Sequence, residues 1–234
     1  MGILKIVATP IGNLEDLTHR AERVLKESDF VLCEDTRVTK RLLDHYQITT
    51  PTISYHQHSG ALKTDKLSAL LKEGKNLALV TDAGTPGISD PGSGLVAAVR
   101  EELGDKVKIE SVPGVSALTA AISIAGVGFD RFLFLGFLPH KKGRQTMLKT
   151  IFKSEYPAIV YESKHRIIKF LEELIKLSKE LSVPVEVKVA RELTKLFESF
   201  YVGLPEEVLA RLQADPHSLK GEFVVLLNKK ATIK

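Results

Sequence analysis

Four polar segments that follow apolar runs hold most of the residues able to do chemistry in this chain. In the stretch from Leu77 to Gly94, LALVTDAGTPGISDPGSG passes from a strand pattern into a loop with glycines at 84, 87, 92 and 94 and prolines at 86 and 91. So little side-chain bulk leaves backbone N–H groups open to close approach by a ligand, with Asp82, Ser89 and Asp90 as polar handles. Strand-to-helix turns need only about 2–6 residues, so this length points to binding. The other ligand-loop candidates are Thr9–Asn13 (TPIGN), Glu34–Arg37 (EDTR) and Pro113–Ser116 (PGVS). Glu34–Arg37 also reads as a helix N-cap with a local salt bridge. His56 and His58, in SYHQHSG, share one strand face and would suit a metal. Without cysteines or paired carboxylates nearby, they read better as a polar strand end, where His58 contacts substrate or shuttles a proton. No metal is expected.

The elements that must position these loops alternate along the chain. Ile3–Ala8, Phe30–Cys33, Thr52–Tyr55, Leu77–Thr81 and Val107–Val112 read as strands. Helical spacing begins at Asp16, with Asn13 or Asp16 as a cap, and recurs over Thr36–Tyr46, Ala61–Leu71 and Leu95–Leu103. Such alternation predicts a largely parallel sheet flanked by helices, whose ligand loops converge beyond the carboxyl ends of the strands. After Gly114 a small-residue helix follows, then strand Phe132–Leu135 and a Gly/Pro/basic segment, GFLPHKKGR, with the composition of a linker or loop. Closely spaced strands in the remainder predict a mixed sheet. The expected fold class is α/β with two α/β domains, residues 1–115 carrying substrate and cofactor loops and residues 116–234 closing on the cofactor and making dimer contacts.

Composition bounds the possibilities. The 234 residues are 44% hydrophobic and 26% charged, as in ordinary globular proteins, with 33 Lys+Arg against 29 Asp+Glu. The resulting charge of +4 is compatible with a polyanionic partner. Lys141, Lys142 and Arg144 flank one linker, and Lys164, His165 and Arg166 open a later helix. The single cysteine, Cys33, lies in an apolar strand and fits a reducing cytoplasm. No apolar run reaches the roughly 18 residues of a membrane span, and no secretory leader is read at the N-terminus. Gly92-Ser-Gly94-Leu-Val-Ala97 matches a dinucleotide fingerprint in form, but begins too far from its strand.

Read together, VATPIGNLEDLTHRA, CEDTR, VTDAGTPGISDPG, VPGVSA, RFLFLGFLP, YESKHR, ARELTK and GEFVVL run in order from residue 7 to residue 227. This chain closely resembles the ribosomal RNA small subunit methyltransferase I family, a branch of the tetrapyrrole (class III) S-adenosylmethionine methyltransferases. The resemblance implies S-adenosylmethionine held between two α/β domains, a homodimer, and 2′-O-methylation of a cytidine in the decoding region of 16S rRNA, as free rRNA or in the small ribosomal subunit. Porphyrin-modifying relatives carry G-x-G-P-G-D where this chain has Thr9–Asn13, which favours RNA over a tetrapyrrole. Lys164 and Val115 stand where relatives commonly have Pro, and Gln57 stands where a Glu is expected.

For the cofactor, resemblance and loop position assign Pro10, Gly12, Asp82, Ala83, Gly84, Thr85, Ile88, Ser89, Asp90, Pro113 and Ser116, with Glu162, Arg191, Glu192 and Leu193 closing from the second domain. Glu34, Asp35, Arg37 and His58 are the catalytic candidates. Lys141, Lys142, Arg144, Arg166 and Lys195 are the RNA candidates, since arginine's planar fork bonds two phosphate oxygens. The rival readings are a small-molecule methyltransferase and a cofactor-binding module without catalysis. The basic linker and the lost G-x-G-P-G-D weigh for RNA.

Overall fold

The computed structural model describes residues 1–56, 61–90 and 92–229. The chain divides into two compact units, Met1–Ser116 and Ala117–Lys234, each built around its own five-stranded sheet. In the first, strands β1 (Ile3–Val7), β2 (Phe30–Cys33), β3 (Thr52–Ser54), β4 (Leu77–Leu79) and β5 (Lys108–Val112) alternate with helices α1 (His19–Glu27), α2 (Thr36–His45), α3 (Ala61–Lys72) and α4 (Gly92–Leu103). The strand order is β3-β2-β4-β1-β5, and every neighbouring pair is parallel.

Period-two patterning builds both faces of this sheet. Val31, Cys33 and Ala78 meet Ala21, Leu25 and Leu42 of α1 and α2 on one side. Leu32, Leu77 and Leu79 meet Leu67, Leu71, Leu95 and Val99 of α3 and α4 on the other. Strands buried on both faces explain the unbroken apolar runs FVLC and LAL. One local expectation is corrected: α1 is capped by Thr18, whose Oγ1 accepts from Ala21 N at 3.0 Å, rather than by Asn13 or Asp16. Asn13 instead accepts from Glu15 N and caps a single 3-10 turn.

The second unit has a mixed sheet of β6 (Leu133–Phe137), β7 (Ala158–Ser163), β8 (Val185–Arg191), β9 (Ser199–Gly203) and β10 (Glu222–Lys229). Its order is β6-β7-β10-β8-β9; β6 and β7 run parallel and the other pairs antiparallel. Helices α5 (Ala117–Ser123), α6 (Arg144–Lys153), α7 (Ile167–Leu181) and α8 (Pro205–Ala214) complete it. Ile167, Phe170, Leu171, Leu174 and Leu177 form the apolar stripe of α7, packed on Val160, Val187, Val189 and Val225. The basic segment ending at Arg144 is no mere linker, because Arg144 opens α6 and Leu148, Ile151 and Phe152 bury the helix that follows. Among the described residues no helix is long and apolar enough to cross a membrane.

Candidate functional site

Parallel strands of the first unit send their carboxyl ends to one edge, and there the polar loops are tied together. Thr9 and Gly84 exchange backbone hydrogen bonds at 2.9 and 3.0 Å, and Thr9 Oγ1 donates to Thr81 O at 3.0 Å. This joins the loop after β1 to the loop after β4. Thr85 Oγ1 donates to Val115 O at 2.9 Å, adding the loop after β5. Asp35 N donates to Asp82 Oδ1 at 3.2 Å, adding the loop after β2. Thr9 is 2% exposed, so its hydroxyl acts as an internal staple.

A cavity of about 420 Å³ opens at this edge, lined by Glu34, Asp35, Thr36, Arg37, Ser54, His56 and Asp82. Three of the four catalytic candidates therefore meet Asp82 in one place. The fourth, His58, lies outside the described residues. Sequence reasoning missed Ser54 as a lining residue, whereas Thr36 belongs to the EDTR segment and His56 to the polar strand end that it singled out; Ser54 Oγ and His56 Nε2 share a hydrogen bond of 2.7 Å. The signal for Ser54 was position, at the end of β3. Asp35 caps α2 by accepting from Arg37 N at 2.8 Å, and the Arg37 guanidinium closes on its carboxylate at 3.0 and 2.6 Å. The Arg37 side chain, followed by its N–H, holds the Asp35 carboxyl well below the usual carboxylate range. Asp35 thus stays ionised, which suits it to orienting a partner and not to taking up a proton.

Within the long loop, conformation and bulk both favour a ligand. Gly84 adopts φ +85°, and a Cβ there would stand 3.4 Å from Ile11 Cγ2 and 3.7 Å from Val115 O, filling the seam between three loops. Replacing Gly84 by alanine should lower stability by about 1–2 kcal/mol through left-handed strain, read by thermal unfolding. Ser89 also sits at φ +64°, a strained setting of the kind found at binding loops. Asp90 is spent internally: its carboxylate accepts from Gly87 N at 2.8 Å and Gly92 N at 2.7 Å, tying the loop to the start of α4. Asp82 and Ala83 remain exposed at the mouth of the loop, as do Gly12 and Pro113.

One second-unit expectation, that for Arg144, needs correction, and several other expected residues are engaged in internal networks. Arg144 was expected to face RNA, yet it is 4% exposed. Its Nε donates to Glu173 at 2.8 Å, and its Nη1 to Glu162 at 3.3 Å. Burial works against its charge, but Glu173 and Glu162 outweigh that and leave its pKa above the ordinary value. Arg166 is likewise committed, giving Glu162 bonds of 2.8 and 3.1 Å. Glu162, expected at the cofactor, has a fully buried carboxylate between these two arginines. Arg191 spends its guanidinium on the carbonyls of Lys220, Phe197 and His217 at 2.6, 3.0 and 2.7 Å, bracing three chain segments. Lys195 bridges Glu192 and Glu222 at 2.9 and 2.8 Å, so its charge is locally balanced. Leu193 is buried. Lys141 and Lys142 are exposed. Among the described residues no cluster of three or more His, Cys, Asp or Glu side chains is arranged to hold a metal ion.

Comparison with known proteins places this site in context. Residues 4–209 match the family model of the Tetrapyrrole (Corrin/Porphyrin) Methylases. A ribosomal RNA small subunit methyltransferase I of Synechocystis is 46% identical across 97% of this chain and 79% of its own length. The protein of the same name from Thermotoga maritima is 40% identical, covering 98% of this chain and all of its own. Among solved structures, uroporphyrin-III C-methyl transferase of Thermus thermophilus complexed with S-adenyl homocysteine superposes with a TM-score of 0.63 at 19% identity. It covers 96% of this chain and 97% of that one, which marks the shared fold. On the extent and level of these matches, the chain belongs to the ribosomal RNA small subunit methyltransferase I family of the tetrapyrrole methylases.

Proposed function

We propose that this enzyme moves the methyl group of S-adenosylmethionine to the 2′-hydroxyl of a cytidine in the decoding region of 16S rRNA, presented as free RNA or in the small ribosomal subunit. The observation that carries the reading is the hydrogen-bonded union of four strand-end loops around Asp82, in a chain of this family.

The residues present suit that cofactor. The seam at Gly84 is kept open by the missing Cβ, and Asp82 offers an exposed carboxylate to its hydroxyl or amino groups. When bound, S-adenosylmethionine supplies a methyl group activated by a sulfonium centre. Pro10, Gly12, Asp82, Ala83, Gly84, Thr85, Ile88, Ser89, Pro113 and Ser116 form its binding loops, and Asp90 shapes them from within. Positive charge at sulfur is lost during an in-line displacement, so the main demand on the protein is alignment of the ribose oxygen. That hydroxyl must also give up a proton. Glu34 and His56 line the same cavity as Asp82, and either is placed to accept it directly or through one water. Arg37 and Asp35 orient the substrate as a locked pair.

The discriminating experiment offers the protein labelled S-adenosylmethionine with undermethylated small ribosomal subunits, and separately with a reduced porphyrin precursor. Label in the RNA alone is expected; label in the tetrapyrrole alone would replace this reading with the small-molecule one. Cofactor binding without transfer to either would leave a non-catalytic module. The same reading takes the enzyme as a cytoplasmic homodimer, expected to elute in light-scattering chromatography at about twice its 25.8 kDa chain mass.

A further inference from the structure

Beneath the carboxyl ends of β6 and β7 lies a knot of buried charge that the methyl-transfer site does not use. These strands are parallel neighbours, with Phe137 paired to Tyr161, so the turns that follow them emerge side by side. The first turn carries His140, Lys141 and Lys142, and the second Lys164 and His165, all exposed. Under them, Arg144 holds Pro139 O at 3.4 Å, Glu162 at 3.3 Å and Glu173 at 2.8 Å, while Arg166 closes on Glu162 from the second turn. Two arginines meet two carboxylates, so the interior of the knot is electrically balanced. Among the described residues, the side chains of Lys141, Lys142 and Lys164 form no ion pair, so the uncompensated charge all lies on the outside. At the end of β6, leading into the first turn, Phe137 is 54% exposed, its ring edge-on to Tyr161 at 5.5 Å.

We infer that Lys141, Lys142 and Lys164, with His140 and His165 as flanking donors and Phe137 as a stacking platform, form one path for single-stranded RNA, which the buried Arg144–Glu162–Arg166 knot holds in register. The chemistry fits single-stranded nucleic acid better than a duplex: cations track phosphates while an exposed aromatic ring takes an unstacked base. Arg144 and Arg166 act here as positioning residues, and the exposed Lys164 joins the second turn to the charge of the first. The inference rests on the RNA reading above and extends it.

The test uses the full chain and a single-stranded RNA oligonucleotide, with affinity measured across a salt series. Replacing Lys141, Lys142 and Lys164 together by Ala should flatten the slope of log affinity against log salt by about 2, at roughly 0.7 per lost phosphate contact. Affinity for S-adenosylmethionine should not change. Phe137→Ala should weaken RNA binding roughly 5- to 150-fold with the salt slope kept. A slope unaltered in the triple variant overturns the path, and unaltered affinity in Phe137→Ala overturns the platform. For the knot, Arg144→Lys should raise the KM for RNA without moving kcat; an unmoved KM overturns the positioning role. Methyl transfer by the wild-type protein to small subunits is scored in parallel. Loss of that transfer with the salt effect intact would count against the RNA methyltransferase reading, and not against the path.

Discussion

Replacing Asp82 by alanine is expected to weaken S-adenosylmethionine binding by about 10- to 100-fold, equivalent to the roughly 1.5–3 kcal/mol carried by hydrogen bonds to a charged group. Two consequences of one deletion combine here. The exposed carboxylate at the mouth of the loop is lost to the cofactor, and Asp35 N loses its acceptor at 3.2 Å. Asp82→Asn separates them, because an amide oxygen still accepts from Asp35 N while the charge is gone. Calorimetry should therefore place Asp82→Asn between wild type and Asp82→Ala. Equal affinity in all three proteins would move the cofactor away from this loop.

Glu162→Ala is expected to destabilise the protein by about 3–5 kcal/mol, the usual consequence of removing one partner from a buried ion pair. The carboxylate removed has no solvent exposure and accepts from Arg144, Arg166 and Ser163 N. Its loss strands Arg144, which is itself 4% exposed, with Glu173 as the remaining carboxylate. Denaturant unfolding measures the effect. Adding Arg166→Met to Glu162→Ala should recover part of the loss, since contacting partners in one network do not add independently. A single-variant loss below about 1 kcal/mol would mean that water, and not the protein, solvates this charge.

Much of the fold was legible because burial writes itself into spacing. FVLC and LAL read as strands since both faces are covered, and the first unit's strand–helix alternation fixed which loops share an edge. The order β3-β2-β4-β1-β5 was not legible, because it depends on pairings between residues distant in sequence. Helix α6 was hidden by the basic residues before it. Arg144 could have been placed correctly: with Leu148, Ile151 and Phe152 it occupies positions i, i+4, i+7 and i+8, the buried stripe of an amphipathic helix. Composition counts a charge without saying whether it is solvated, which is why Arg144 and Arg166 looked like phosphate contacts. At the site, the motif residues Glu34, Asp35, Arg37 and Asp82 stood out by type. Ser54 joins them only through the sheet's geometry.

One measurement bears most directly on the enzyme's activity. Undermethylated small ribosomal subunits are incubated with the protein and S-adenosylmethionine, and the 16S rRNA is digested and mapped by mass spectrometry. The expected result is a new methyl group on the ribose of a decoding-region cytidine, absent with Asp82→Ala at cofactor concentrations below its weakened affinity. A methyl group on a base, or no new methylation while the wild-type protein binds its cofactor, would contradict 2′-O-methyl transfer to RNA.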